Sequence, residues 1–321
     1  MMWYVWALAA AFALVIILLI IGSAVFFRMI VARSKEEGDK KSLWDREDEP
    51  VTNPKCIPFA KEITEGRRYV RERISEKFEI TSYDGLRLSA RLAPADSQRA
   101  IVLMMHGYRS DPLYDFSCAV RPYNERGFSC VLPFERAHGE SEGKYICFGT
   151  KEKYDVVSWC NFLEEKYPGV PVILDGISMG ATTVLMASGL ELPSNVKGIV
   201  ADCGFTSPLE IYKTVCRASF AMSPFPFVYT TSLAIRLVAG FNVRESTLKA
   251  LKKNSLPVFF AHGEADKFVP CRMSADNYEA ALKYCDAEFF SVPEAEHGLS
   301  FLVDNEGYLK ALDKFLDKCI K

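Results

Sequence analysis

The stretch Gly176-Ile177-Ser178-Met179-Gly180 puts a serine between two glycines, after the apolar run "PVILDG" and before "GATTVLMASGL". An ordinary strand-to-helix loop is the plain reading of G-x-S-x-G. The sharper one is a strained turn that projects Ser178 as a nucleophile, since residues without bulk two positions to either side let a strand and a helix cross closely. A serine hydroxyl attacks a carbonyl only if a base takes its proton and an acid orients that base. Of the four histidines, His297 in "PEAEHGLS" follows the last strand-like segment in a loop and is the expected base. His106 in "MMHGY" and His262 in "PVFFAH" are expected to be hydrogen-bonded within the scaffold, and His138 in "ERAHGESEG" is the second candidate by reach. The segment "HGEADKFVP" supplies the acid, Asp266, with Glu264 as the fallback. Two backbone N–H groups must receive the oxyanion, and those of Met179 and Tyr108 are the candidates.

These side chains need a frame that gathers residues more than a hundred positions apart. "KFEITSYDGLRLSARLAP" alternates on both sides of Asp84-Gly85, a hairpin signal. "AIVLMMHG" is a continuous apolar run, as for a strand buried on both faces. "LYDFSCAVRPYNERG" has helical character, with Pro122 expected to kink or divide it, and "FSCVLPF" is the next strand. Helix and strand signals then alternate to the C-terminus, ending in "EGYLKALDKFLDKCI" with Tyr308, Leu312, Phe315 and Leu316 on one side. Such alternation predicts a mostly parallel sheet with helices on both faces and the site along the edge where the strands end. Residues 204–255 interrupt the rhythm with the apolar "FAMSPFPFVYTTSLAIRLVAGF", expected to be a small helical cap over that edge.

No charged residue occurs from Met1 to Phe27. At 1.5 Å per residue this stretch reaches about 40 Å, enough to span a hydrocarbon core of about 30 Å with some tilt. Trp3, Tyr4 and Trp6 suit the interface. A cleavable signal peptide competes with this reading, but the basic n-region is missing and the apolar run is too long for one. The expected organisation is a transmembrane anchor over 1–32, a charged linker over 33–56 and one catalytic domain over 57–321 that includes the 204–255 insertion. Arg28, Arg33 and Lys35 follow the span, which predicts a single-pass cell-membrane protein with its domain on the cytoplasmic side. Arg67, Arg68, Arg71 and Arg73 cluster on a possible helix, read as a solvated face or as a contact for anionic headgroups.

With 39 basic and 41 acidic residues the chain lacks the surplus that nucleic acid binding requires. The ten cysteines form no disulfide framework, contain no C-x-x-C and fit a reduced compartment. The histidines are too dispersed for a metal site, and no cofactor is expected.

Residues from about 78 to 320 resemble the α/β-hydrolase superfamily, in particular its serine aminopeptidase-like group, which includes monoacylglycerol lipases and esterases. The motifs that carry the likeness are "HGYRSD", "ERAHGESEG", "GISMGA", "HGEADKFVP" and "EAEHG". The resemblance implies an α/β-hydrolase fold, the triad Ser178, Asp266 and His297, an oxyanion hole at Tyr108 and Met179, and a structural role for "ERAHGES". The N-terminal anchor is similar to that of bacterial membrane-bound members. Many relatives carry histidine before the nucleophile and a second glycine after the motif, where this chain has Ile177 and Ala181. The expected activity is hydrolysis of an ester or thioester of a small acyl or lipid-like substrate, with the apolar cap favouring an acyl or aromatic group. The alternatives are a peptidase or amidase with the same machinery, for which Glu210 and Glu245 are the acidic residues of the cap, and a catalytically silent membrane-bound module. Oligomeric state is left open.

Overall fold

The computed structural model describes residues 2–33, 44 and 49–320. Eight strands form one sheet in the order β1-β2-β4-β3-β5-β6-β7-β8. The hairpin of β1 (Glu76–Thr81) and β2 (Arg87–Ala93) turns through Asp84 and Gly85, the latter at φ 86°. Strand β2 runs antiparallel to β4 (Phe128–Pro133). From β4 onward the sheet is parallel through β3 (Ala100–Met105), β5 (Val172–Ile177), β6 (Val196–Asp202), β7 (Val258–Gly263) and β8 (Ala287–Val292). Every residue of β3 and β4 is buried, as a strand covered on both faces must be.

One face of the sheet packs against α4 (Glu152–Lys166) and α5 (Met179–Ala187), with Trp159 and Leu163 in the core. The other packs against α3 (Pro112–Glu125) and the C-terminal helix Asn305–Cys319, through Phe116, Val120, Phe315 and Leu316. Helix α3 is capped by Asp111, whose side chain accepts from Leu113 N–H at 2.8 Å, and it runs unbroken through Pro122. Pro122 lies in its last turn, where the proline removes one bond, to the carbonyl of Cys118, and the helix ends three residues later. Helix α2 (Ala60–Arg73) packs on α3 so closely that a Cβ on Gly66 would lie 2.5 Å from Ser117 O. Of the arginine cluster on α2, Arg67 is buried and Arg73 donates to Pro94 O and pairs with Asp96, so these two tie the helix to the domain; Arg68 is exposed.

Two expectations about the flanking segments are corrected. Residues 204–255 are indeed helical, with α6 (Pro208–Phe220), α7 (Phe227–Val238) and the short α8 (Thr247–Leu251). Their apolar residues pack against Phe148, Met179 and Val31 and leave the cavity beside Ser178 without a wall from this insertion. The linker expected over 33–56 ends earlier than its charge suggests. Residues 34–43 and 45–48 lie outside the described residues, but Val51 and Cys56 pack against Ile63 and Leu299, and Lys55 pairs with Glu296. Burial of Cys56 fixes this segment to the domain.

The N-terminal helix α1 (Met2–Ile30) is long and apolar enough to cross a membrane. Its last turns lie on the domain. Ser23 Oγ donates to Thr230 Oγ1 at 2.6 Å, Val31 is fully buried, and Ala32 pairs with Tyr145 in an isolated β-bridge.

The crossing of β5 and α5 is the tightest point of the frame. A Cβ on Gly180 would stand 1.8 Å from Met105 O, and one on Gly176 would stand 2.4 Å from the Gly180 backbone. Both clashes are with backbone, which has nowhere to retreat. Gly180→Ala is therefore expected to destabilise the fold by about 2–3 kcal/mol or more, read as a lowered midpoint in urea unfolding. A midpoint equal to that of wild type would contradict so close a crossing.

Candidate active site

Ser178 occupies the turn between β5 and α5 at φ 56° and ψ −108°, a conformation that costs a non-glycine residue on the order of 1–3 kcal/mol. Its N–H donates to Asp202 O at 2.8 Å and its carbonyl accepts from Thr182 N–H at 3.1 Å, so both neighbouring elements hold the strain in place. The hydroxyl is 2.9 Å from His297 Nε2. His297 Nδ1 lies 2.6 Å from Asp266 Oδ2, in the loop after β7. The structure thus brings Ser178, His297 and Asp266 into one hydrogen-bonded line. Since a carboxylate accepts, Nδ1 carries the proton and Nε2 is left to accept from the serine.

Asp266 is held from all sides. Its side chain has no exposed surface, and Oδ1 accepts from Phe268 N–H at 2.8 Å and Val269 N–H at 2.9 Å. His262 Nε2 is 3.1 Å from Oδ2 and 2.9 Å from Val269 O, while its Nδ1 is 2.7 Å from Ser274 Oγ. Burial pushes the carboxyl pKa upward, but the hydrogen bonds from His262 and His297 outweigh it and hold Asp266 well below the ordinary carboxylate range. Glu264 points elsewhere and accepts from Ser291 Oγ at 2.7 Å.

The other two histidines are engaged in the scaffold. His106 donates from Nδ1 to Gly107 O at 2.8 Å and accepts Glu135 N–H at Nε2 at 3.0 Å. His138 donates to Arg136 O at 3.0 Å and accepts Arg109 N–H at 3.1 Å, and burial lowers its pKa to about 4. With both nitrogens committed, His138 has no lone pair to offer a serine. The "ERAHGES" loop is itself pinned by Arg136, whose guanidinium bonds both oxygens of Asp155 at 2.6 Å and both of Asp84 at 2.9 and 3.1 Å.

Sequence reasoning missed Asp115. Its Oδ2 accepts from Gly107 N–H at 2.6 Å and its Oδ1 from Ser110 Oγ at 2.6 Å, which fixes the loop after β3. The neighbours of Tyr108 in that loop, Gly107 and Arg109, thus have their N–H groups committed to Asp115 and His138. Asp115 is the fourth residue of α3, in its first turn, and an acidic residue at that place after "HGYRSD" was the available signal. Met179 N–H begins α5, where the first N–H groups of a helix lack intrahelical partners.

Ser178 and His297 form part of the wall of a cavity of about 290 Å³. The cavity is lined by Phe116, Cys118 and Ala119 of α3, by Leu299, Leu302 and Leu312, and by Val51, Cys56 and Ile63. Among the described residues no cluster of histidine, cysteine and carboxylate side chains could hold a metal ion, and all ten cysteines are free.

A family profile described as the alpha/beta hydrolase fold matches residues 100–216. The solved esterase Pf2001 of Pyrococcus furiosus superposes with a TM-score of 0.62 at 24% identity, covering 77% of this chain and 91% of its own. The chain has the α/β-hydrolase fold. Est1E of Butyrivibrio proteoclasticus, solved with ferulic acid, shares the fold at a TM-score of 0.58 and 17% identity, covering 76% of this chain and 99% of its own. The uncharacterized protein YqkD of Bacillus subtilis (strain 168) is 27% identical over 228 residues, 70% of this chain and 73% of its own. Where α/β-hydrolases carry a catalytic triad, its members follow in the order serine, acid, histidine, which is the order of Ser178, Asp266 and His297 in this chain.

The depressed pKa of Asp266 has a thermodynamic consequence. Its folded value lies below the unfolded value of about 3.9, so its contribution to stability is complete well above that pH and is lost as the pH falls through it toward the folded value. The gap in melting temperature between wild type and Asp266→Asn is expected to be widest near pH 7, to begin narrowing below about pH 5 and to go on narrowing toward pH 2. A gap that is constant with pH would contradict the assignment.

Proposed function

We propose that this chain is a membrane-anchored serine hydrolase that cleaves an ester or thioester of a small acyl or lipid-like substrate through an acyl-enzyme. The observation that carries the proposal is the bridge by His297 between Ser178 Oγ at 2.9 Å and Asp266 Oδ2 at 2.6 Å. In the first half-reaction His297 Nε2 takes the hydroxyl proton while Oγ attacks the carbonyl carbon. The N–H groups of Met179 and Tyr108 receive the developing oxyanion, a donor of this kind being worth about 3–4 kcal/mol of transition-state stabilisation. His297 then passes its proton to the departing oxygen or sulfur. In the second half-reaction water, deprotonated by the same nitrogen, attacks the acyl carbon and frees Ser178. Asp266 keeps Nδ1 protonated throughout and stabilises the imidazolium as it forms.

The motifs "HGYRSD", "ERAHGESEG", "GISMGA", "HGEADKFVP" and "EAEHG" support membership of the serine aminopeptidase-like group of the superfamily, of the membrane-anchored bacterial type. The ester reading is favoured over a peptidase by what lines the cavity. Its walls are largely apolar, and Glu210 and Glu245, the acidic residues expected to receive an amino terminus, pair with Lys213 and Lys153 away from it. A solved structure with this fold, Pf2001, carries the name esterase, and another, Est1E, holds ferulic acid. A silent module would have no use for a strained serine aligned with a base. The apolar α1 supports a cell-membrane location, and the basic residues after it support a cytoplasmic domain.

Ser178→Ala and His297→Ala are each expected to lower kcat/KM for p-nitrophenyl esters by about a thousand-fold or more, with melting temperatures close to wild type. Activity within a few-fold of wild type in either variant would contradict the roles of nucleophile and base. Ala119→Trp, which fills the cavity, should lower kcat/KM for medium-chain esters by about tenfold or more relative to acetate. An unchanged ratio would mean that the acyl group binds elsewhere.

A further inference from the structure

Among the described residues beyond α1, large apolar side chains are exposed singly or in a pair such as Tyr83 and Tyr154, with one exception. The turn into α7 and its outer face expose Phe225, Tyr229, Leu233, Leu237 and Val238, with Phe225 at 72% and Leu237 at 75% of full exposure. The first four recur every fourth residue and make one stripe. The opposite side of α7, with Val228, Thr231 and Ile235, is buried in the domain. The stripe is thus a second apolar face on a helix whose core-facing side is already satisfied.

What covers it follows from the length of α1. Residues 2–18 are exposed all round, and the side of α1 facing the domain begins at Leu19. Those seventeen exposed residues rise about 25 Å, about 5 Å short of a hydrocarbon core of about 30 Å. Counting from the other end gives the same boundary. If Trp3 and Trp6 mark one interface, about twenty residues of helix bring the second to about residues 23–26. At that level the domain is already in contact with the helix. Ser23 bonds Thr230 of α7 at 2.6 Å, and the Phe227 ring is so near that a Cβ on Gly22 would stand 2.6 Å from it. Tilting α1 uses more residues to cross the same thickness and carries α7 deeper.

We infer that α7 lies in the lipid interface beside α1, its exposed stripe set into the acyl boundary, so that the catalytic domain rests on the bilayer. This rests on the proposed role of α1 as a membrane anchor. Arg236, exposed among the stripe residues, reaches back to headgroups along its aliphatic stem, as arginine does on interfacial helices. Arg28 sits on α1 just beyond the calculated boundary, where a cation meets the same headgroups. The backbone after α1 fixes the geometry. Ala32 bridges to Tyr145, Arg33 donates to Gly139 O and Ser141 O, and Tyr108 donates from its hydroxyl to Ile30 O at 2.8 Å, so the domain does not hang from a loose tether at this point.

The test uses the full chain in vesicles of phosphatidylethanolamine and phosphatidylglycerol, with an encoded benzophenone amino acid at one position at a time. Leu14 on the free part of α1 reports the anchor, and Leu233 and Leu237 report the stripe. Tyr284, just before β8 starts and so at the sheet edge opposite the site, reports the aqueous side. Each variant must melt at the wild-type temperature. After illumination, mass spectrometry is expected to find phospholipid adducts at Leu14, Leu233 and Leu237 with yields within about threefold of one another, and none at Tyr284. Adducts at Leu14 with none at Leu233 and Leu237 would overturn the interfacial placement and leave the anchor standing. Crosslinks from Leu233 or Leu237 to a second copy of the chain would overturn it in favour of a dimer face. No adduct at Leu14 would remove the anchor itself and the inference with it.

Discussion

The close approach of β3, β5 and α5 is the constraint on which the site depends. Gly180 lets α5 start against Met105 O, and Gly176 lets β5 turn under that helix. The turn this forces on Ser178 leaves its hydroxyl beyond the strand ends, facing His297. The strain is local and its support is distributed through Asp202 O, Thr182 N–H and the two buried cores that grip the sheet. A hydroxyl held this way has little orientational entropy left to lose, because the fold has already fixed it.

The other members of the site are fixed by the same means, buried polar groups with every partner in place. Asp266 accepts two backbone N–H groups and faces two imidazoles, so neither it nor His297 can choose another orientation without leaving a buried charge unpaired. Asp115 does the equivalent for the loop after β3 through Gly107 and Ser110. That loop is also joined to the end of α1. Arg109 donates to Met29 O at 3.1 Å and Ala32 O at 2.9 Å, while Tyr108 donates to Ile30 O. Side chains near the site thus cap the last carbonyls of the apolar helix. The loop after β3 and the end of the N-terminal helix are thus hydrogen-bonded to each other at this corner.

Much of the frame was legible because it is carried by local pattern. The glycines around Ser178, the buried runs of β3 and β4 and the Asp84-Gly85 hairpin each announce their geometry within a few residues. The line from Ser178 through His297 to Asp266 was legible as an order of residue types at strand ends, and choosing Asp266 over Glu264 needed only its greater reach into the turn. What escaped depends on contacts between distant segments. Residues 51–56 fall at the end of the segment read as a charged linker, yet Val51 and Cys56 line the cavity beside Ile63, a placement set by α2 packing on α3 through Gly66. The 204–255 insertion has the apolar content of a lid but spends it on Phe148 and Val31, and no periodicity in that segment says which neighbour it will meet. Asp115 was missed because a carboxylate in the first turn of a helix is ordinarily a dipole partner, and only the curl of the preceding loop turns it inward.

The central claim is that the hydroxyl of Ser178 is the activated nucleophile of this chain, and covalent capture tests it most directly. The folded protein is treated with a fluorophosphonate, digested, and the modified residue located by peptide mapping. A single stoichiometric adduct on Ser178, formed rapidly in wild type and slowed by orders of magnitude in His297→Ala, is the predicted result. An adduct on another residue, or none on a folded wild-type protein, would contradict the account.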